Sequence, residues 1–246
     1  MVEPRPNPGT EVDELALELD SALRAHADPE RALREKAYLK SDLEHYGVRV
    51  PVIRQTTKKF LKERTVAEHG TTVELVEALW RRPVHELRTA AVETLCERVA
   101  LLSPVDIPLL ERLLRESGTW ALVDGLAPHV VGPLAARFPD IEATLWRWAD
   151  DPDLWLRRAA LLAYLLPMRR GEPVFEKFAA IADRLLEDRE FFVRKAIGWV
   201  LRERSRKAAD EVYEWLVPRR QRAARLTLRE ASKHLSDEQR NEILGL

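Results

Sequence analysis

Trp120 and Asp124 stand four residues apart in Ser117-Gly118-Thr119-Trp120-Ala121-Leu122-Val123-Asp124-Gly125, a spacing that puts an indole and a carboxylate on one face of a helix. Lys195 and Trp199 repeat that spacing in Lys195-Ala196-Ile197-Gly198-Trp199-Val200-Leu201-Arg202-Glu203, with Arg202 one turn further on. Arg158 lies 37 residues before Lys195. Indole faces attract cations, a carboxylate stabilises developing positive charge, and Arg and Lys hold phosphates. Brought together, such groups would suit a cationic or cation-forming group carried on a phosphate backbone. Each also has a plainer reading. An Asp in a repeat pairs with an Arg of the next repeat. Tryptophans fill gaps between helices, as expected of Trp80, Trp146, Trp148 and Trp215. Arg158 and Lys195 could be ordinary solvated charges.

Helices must position these residues. Nine glycines in 246 residues is sparse, and Leu, Ala, Arg and Glu abound. Amphipathic helical periodicity runs through Glu11–Ala27, Pro51–Glu63, Val84–Leu101 and Asp153–Leu166. Prolines fall at helix starts or turns, and no alternating apolar and polar stretch suggests a strand. Polar markers recur at 54, 88, 124, 157, 194 and 229, with spacings of 34, 36, 33, 37 and 35. A steady period near 35 in a helical chain means stacked helix pairs. The expected fold is therefore all-α, a HEAT-like helical repeat solenoid with a concave groove. A tetratricopeptide array is the rival by length, but its Trp/Gly/Tyr/Pro pattern is not evident. Residues 1–10 read as a flexible leader and 11–246 as one repeat domain.

Charge nearly cancels over the chain, with 40 Lys and Arg against 41 Asp and Glu. That excludes nucleic-acid binding through bulk positive charge. Residues 154–234 nevertheless hold 19 Lys and Arg against 11 Asp and Glu, a surplus that suggests a basic face for a polyanion. The one cysteine, Cys96, excludes an intrachain disulfide and a CxxC zinc site. No metal-ligand cluster is apparent, so neither metal nor cofactor is expected. No apolar run reaches membrane-spanning length, and the N-terminus is unlike a targeting peptide. The expectation is a cytoplasmic protein, monomeric and without a membrane partner.

The sequence resembles the AlkD-type DNA alkylation repair family of HEAT-like DNA glycosylases. The resemblance is carried by Ala37-Tyr38-Leu39-Lys40, Trp120-Ala121-Leu122-Val123-Asp124, Leu154-Trp155-Leu156-Arg157-Arg158-Ala159-Ala160, Phe191 through Glu203, and Arg229-Glu230-Ala231-Ser232-Lys233-His234-Leu235. It implies a monofunctional glycosylase that releases purines alkylated at N3 or N7 from duplex DNA. The family's catalytic carboxylate falls on Asp124, and its two active-site tryptophans fall on Trp120 and Trp199. Its phosphate-binding arginine falls on Arg158, and Tyr38 matches an aromatic position near the lesion. Lys195, Arg202, Arg229 and Lys233 would track the DNA backbone. The resemblance also implies approach to the lesion from the groove surface, without the deep pocket of base-flipping enzymes. Ala121-Leu122 departs from more polar residues in close relatives. The competing readings are a DNA-binding repeat protein without chemistry and a protein-interaction scaffold.

Overall fold

The computed structural model describes residues 8–246, in which the regular structure is helical and extended pairing is confined to one isolated bridge, Glu44 to Val84. The first seven residues of the expected leader lie outside the described residues, whereas Pro8–Thr10 already belong to the first helix. In chain order the helices begin with α1 (Pro8–Arg24), α2 (Pro29–Leu39), α3 (Val50–Glu63), α4 (His69–Trp80) and α5 (His85–Glu97). There follow α6 (Ile107–Arg115), α7 (Trp120–Leu126), α8 (Gly132–Arg137), α9 (Ile141–Ala149), α10 (Leu154–Leu162) and α11 (Leu165–Arg170). The last are α12 (Phe175–Arg184), α13 (Phe191–Ser205), α14 (Ala209–Leu216), α15 (Arg225–Ala231) and α16 (Asp237–Leu244).

The chain divides into two compact units. One runs up to Asp106 and includes Glu116–Leu126; the other comprises Ile107–Arg115 and Ala127–Leu246. In the first unit, α5 is the central helix, packed by α3, α4 and α7, with α1 against α3 and α4. Its core is made by fully buried leucines and isoleucine at 19, 23, 53, 61, 75, 79, 87 and 95. In the second unit, α10 and α13 pack in sequence with α15, and α9 and α12 pack on α10. Three of the polar markers fall on packed helices of the first unit, Arg54 on α3, Arg88 on α5 and Asp124 on α7. Arg157 on α10, Arg194 on α13 and Arg229 on α15 follow in the second.

Side-chain links repeat the same period. Arg54 reaches Glu93 at 2.9 Å, 39 residues away. Arg147 reaches Glu111 at 2.7 Å and Arg219 reaches Asp183, each across 36 residues. Arg184 pairs with Asp150 across 34. Neighbouring repeats are thus bolted together by ion pairs as well as by apolar packing.

Two expected helices are shorter than their periodicity. The segment 84–101 forms α5 and then a 3-10 turn at Val99–Leu101. The segment 153–166 breaks at Ala163-Tyr164 into α10 and α11. Pro167 supplies the reason, because it has no N–H for the Ala163 carbonyl and its ring would crowd that oxygen. The carbonyl lies instead against Gly132, where a Cβ would stand only 2.5 Å away. Among the tryptophans expected in the core, Trp80, Trp148 and Trp215 are buried, but Trp146 is exposed. Trp146 sits on the outward face of α9, whereas Trp148, two residues on, turns inward.

Candidate functional site

Tyr38, Trp120 and Asp124 belong to the first unit. Helix α2 is started by Asp28, whose carboxylate accepts the Arg31 N–H at 3.0 Å, with Pro29 at the first helical position. It ends at Lys40 in a left-handed conformation, two residues after Tyr38. The Tyr38 ring is 73% exposed, yet it meets the Trp120 indole edge-on, with centroids 6.0 Å apart and planes at 89°. That is the favoured arrangement for aromatic quadrupoles.

Helix α7 is short and amphipathic. Leu122, Val123 and Leu126 are buried, whereas Trp120, Ala121, Asp124 and Gly125 are half-buried. Gly125 lets the helix lie close to α5, since a Cβ there would stand 2.7 Å from the Val92 side chain. The apolar face therefore fixes α7 on α5, and the indole and carboxylate share the other face, as the four-residue spacing requires.

In the second unit the expected residues do not behave alike. Arg158 is 2% exposed, donates from Nη1 to the Phe192 carbonyl and lies 5.8 Å from the Phe192 ring centroid. Its guanidinium therefore fastens α10 to the start of α13. Lys195 is exposed with Nζ 5.8 Å from the Phe191 ring centroid. Trp199 is half-buried one turn later. Arg202 donates to Glu230 Oε2 at 2.5 Å, and Lys233 donates to Glu230 Oε1 at 2.7 Å. Burial opposes ionisation of Glu230, but Lys233 and Arg202 overcome it and hold the carboxyl below its ordinary range. Arg229 is exposed. Lys195 and Arg229 thus present open charge, whereas Arg202 and Lys233 share one carboxylate and Arg158 is inside.

Other marker arginines serve structure. Arg157 donates to Asp188 at 2.7 Å and to the carbonyls of Asp151 and Pro152 at 2.8 Å. Arg194 donates to the Asp188 carbonyl at 2.6 Å. Sequence reasoning did not assign Phe191 a role. The structure leaves it 54% exposed, stacked edge-on with Phe192 and beneath Lys195. The Phe191-Phe192 pair was itself the available signal. Glu35, His45 and Glu86, which sequence spacing did not single out, converge in the first unit. Their separations along the chain match no ligand motif. Burial pushes the Cys96 thiol up to about 12, so it is no nucleophile at neutral pH.

A profile of the family described as DNA alkylation repair enzyme matches residues 19–235. The chain belongs to this family. A solved structure described as a predicted DNA alkylation repair enzyme from Enterococcus faecalis is similar, with a TM-score of 0.75 at 23% identity. The similarity covers 86% of this chain and 98% of that one. The structure of smu.31 from Streptococcus mutans UA159 gives 0.61 at 17% identity, covering 94% and 100%. AlkD2 from Streptococcus mutans gives 0.60 at 18% identity, covering 84% and 98%. At these identities the likeness establishes the all-α repeat fold. No curated protein matches the chain. Family membership places the chain in DNA alkylation repair and makes DNA its partner.

Proposed function

We propose that this protein is a monofunctional DNA glycosylase that hydrolyses the bond between deoxyribose and a purine alkylated at N3 or N7 in duplex DNA. The observation that carries the reading is the Tyr38–Trp120–Asp124 arrangement within a chain of the alkylation repair family. Alkylation at N3 or N7 gives the purine a positive charge. Its departure as a neutral base takes the bonding electron pair and leaves oxocarbenium character on the sugar. The Asp124 carboxylate stabilises that charge and orients the water whose oxygen bonds to the sugar carbon. The water gives its proton to the Asp124 carboxylate, which returns it to solvent, and the products are free base and an abasic site.

The indole of Trp120 offers its face to the cationic nucleotide, and Tyr38 holds that indole by an edge contact. Trp199 takes a nucleotide-facing role on α13, and Lys195 and Arg229 carry charge for backbone phosphates. Arg202 and Lys233 contribute to phosphate binding to the extent that they leave Glu230, and Arg158 supports α13 from within. The duplex is bound by a monomer in the cytoplasm.

The test is release of free base from duplex containing N7-methylguanine or N3-methyladenine. Wild type releases it, and Asp124→Asn slows release about 100- to 1,000-fold, the scale of losing one preorganised electrostatic group. No release by wild type, or equal release by the variant, refutes the reading. DNA binding without release by the wild type would instead favour a non-catalytic DNA-binding repeat protein. A covalent adduct trapped by borohydride would refute monofunctional action.

A further inference from the structure

Glu35 on α2, His45 in the loop before α3, and Glu86 in the first turn of α5 each present one ligand-capable atom to a common spot. Those atoms lie within 4.8 Å of one another. His45 is 9% exposed, and its ring lies flat on that of His85, with centroids 4.6 Å apart and planes at 9°. Neither Nδ1 nor Nε2 of His45 has a hydrogen-bond partner. A neutral imidazole carries one donor and one acceptor, so both of its polar functions are buried without compensation.

Glu86 is fully buried and held rigidly. Its Oε1 accepts the N–H groups of Gly47 at 2.7 Å and Val48 at 3.1 Å, and its Oε2 accepts that of Tyr46 at 2.9 Å. Each carboxylate oxygen has two lone-pair sites, so Oε2 keeps one to spare. Glu35 is half-buried and pairs with Arg31 through Oε1, leaving Oε2 without that partner. The cluster therefore joins two carboxylates and an imidazole that do not hydrogen-bond one another.

We propose that Glu35, His45 and Glu86 bind one divalent transition-metal ion of the zinc type. One imidazole nitrogen and two carboxylate oxygens form a ligand set suited to zinc, with a fourth position for water. Two carboxylates neutralise the ion, and the imidazole selects against magnesium and calcium, which take oxygen. Ligand atoms about 2.0–2.2 Å from one zinc ion stand no more than about 4.4 Å apart, which is compatible with separations that all lie within 4.8 Å. Arg31 and Lys36 on α2 and His85 on α5 are the charged or titratable neighbours, and they limit affinity.

The ion ties α2 and the 41–49 loop to α5. Glu35 lies three residues before Tyr38, so the same helix that supplies a ligand carries the aromatic ring that meets Trp120. This site is separate from Asp124, and its test does not depend on base release. Chelator-stripped full-length protein is titrated with zinc chloride by calorimetry, and with cobalt(II) as an optical probe. The expected result is one zinc per chain, cobalt d–d absorption of a four-coordinate site, and a higher thermal midpoint with zinc. His45→Gln removes all three signals. Glu35→Gln, at a half-exposed position that tolerates change, weakens zinc by about tenfold or more while keeping the helical circular dichroism. Absence of stoichiometric binding, or equal binding by wild type and both variants, overturns the proposal. So does a wild-type chain that takes up no zinc and holds His45 as an imidazolium at neutral pH by NMR.

Discussion

An exposed tyrosine that keeps its ring on a tryptophan edge contributes little to folding and can contribute much to presenting that tryptophan. Tyr38 is 73% exposed, so Tyr38→Ala should lower unfolding free energy by little beyond its edge contact, about 0.5–1.5 kcal/mol. The same substitution removes that contact and frees the indole. Base release should then fall by about three- to tenfold, measured in single turnover beside denaturant unfolding of the same variant. A large loss of stability with unchanged turnover would reverse the assignment. Glu230 makes the opposite case. It restrains Arg202 and Lys233 at once, so Glu230→Gln should release two cations. Affinity for unmodified duplex should rise and become more sensitive to salt, as fluorescence anisotropy at two salt concentrations would show. The types of these residues were readable beforehand, but their states were not. Nothing in the spacing of Arg158 and Arg202 distinguishes a buried guanidinium from a paired charge, because the partners (Phe192, Glu230) lie on other helices, whereas Lys233 stands three residues after Glu230, a spacing that does suggest a pair.

Helices were the most legible level, since amphipathic period and repeat spacing are both local. The markers at 54, 88 and 124 occupy packed helices of the first unit, and those at 157, 194 and 229 occupy packed helices of the second. What periodicity could not supply were the interruptions. The π-helical turn at Ala127–Val131 contains Pro128 and follows α7 directly, and the α10–α11 break depends on Pro167 and its contact with Gly132. Both are tertiary outcomes of proline chemistry and close approach. Gly198 shows the same dependence on the site helix. A Cβ there would stand 2.6 Å from Glu230 Cβ and 3.0 Å from the Thr227 carbonyl oxygen. Helices α13 and α15 therefore meet almost backbone to backbone, with Thr227 Oγ1 donating to the Arg194 carbonyl at 3.0 Å. Gly198→Ala must push the helices apart despite alanine's better helix propensity. It should cost about 1–3 kcal/mol in urea unfolding, the usual scale of overpacking, and should disturb the environment of Trp199. An unchanged or raised stability would mean that α15 is not held this closely.

Electrostatics decides at the scale of the molecule, because most cations in the basic stretch are committed to neighbouring repeats. Outside that stretch Glu111 forms a link of the same kind, accepting from Arg147 at 2.7 and 3.1 Å, Trp148 at 3.1 Å and Arg115 at 3.1 Å. The Arg147 hydrogen bonds, with help from Trp148 and Arg115, hold its carboxyl at about 2 against the opposing effect of burial. A carboxyl lowered on folding stabilises above its unfolded value of about 4.5 and loses that contribution as pH falls towards about 2. Glu111→Gln should therefore lower stability at neutral pH and flatten the acid dependence between those values, read from urea midpoints against pH. The same commitments shrink the nucleic-acid footprint. Residues 154–234 hold 19 Lys and Arg, but Arg157, Arg184, Arg204, Arg219 and Arg222 all pair with acids. Counting charge along the sequence consequently overstates the charge offered to DNA. Lys195 and Arg229, exposed on the packed helices α13 and α15, are two residues whose charge remains on offer. If each contacts one phosphate, the double variant Lys195→Ala/Arg229→Ala should lower the slope of log affinity against log salt by roughly 1.8, at about 0.9 per phosphate. Affinity should fall alike for damaged and undamaged duplex, because phosphate contacts carry no lesion information. A slope that stays at the wild-type value would place the DNA on another face of the second unit.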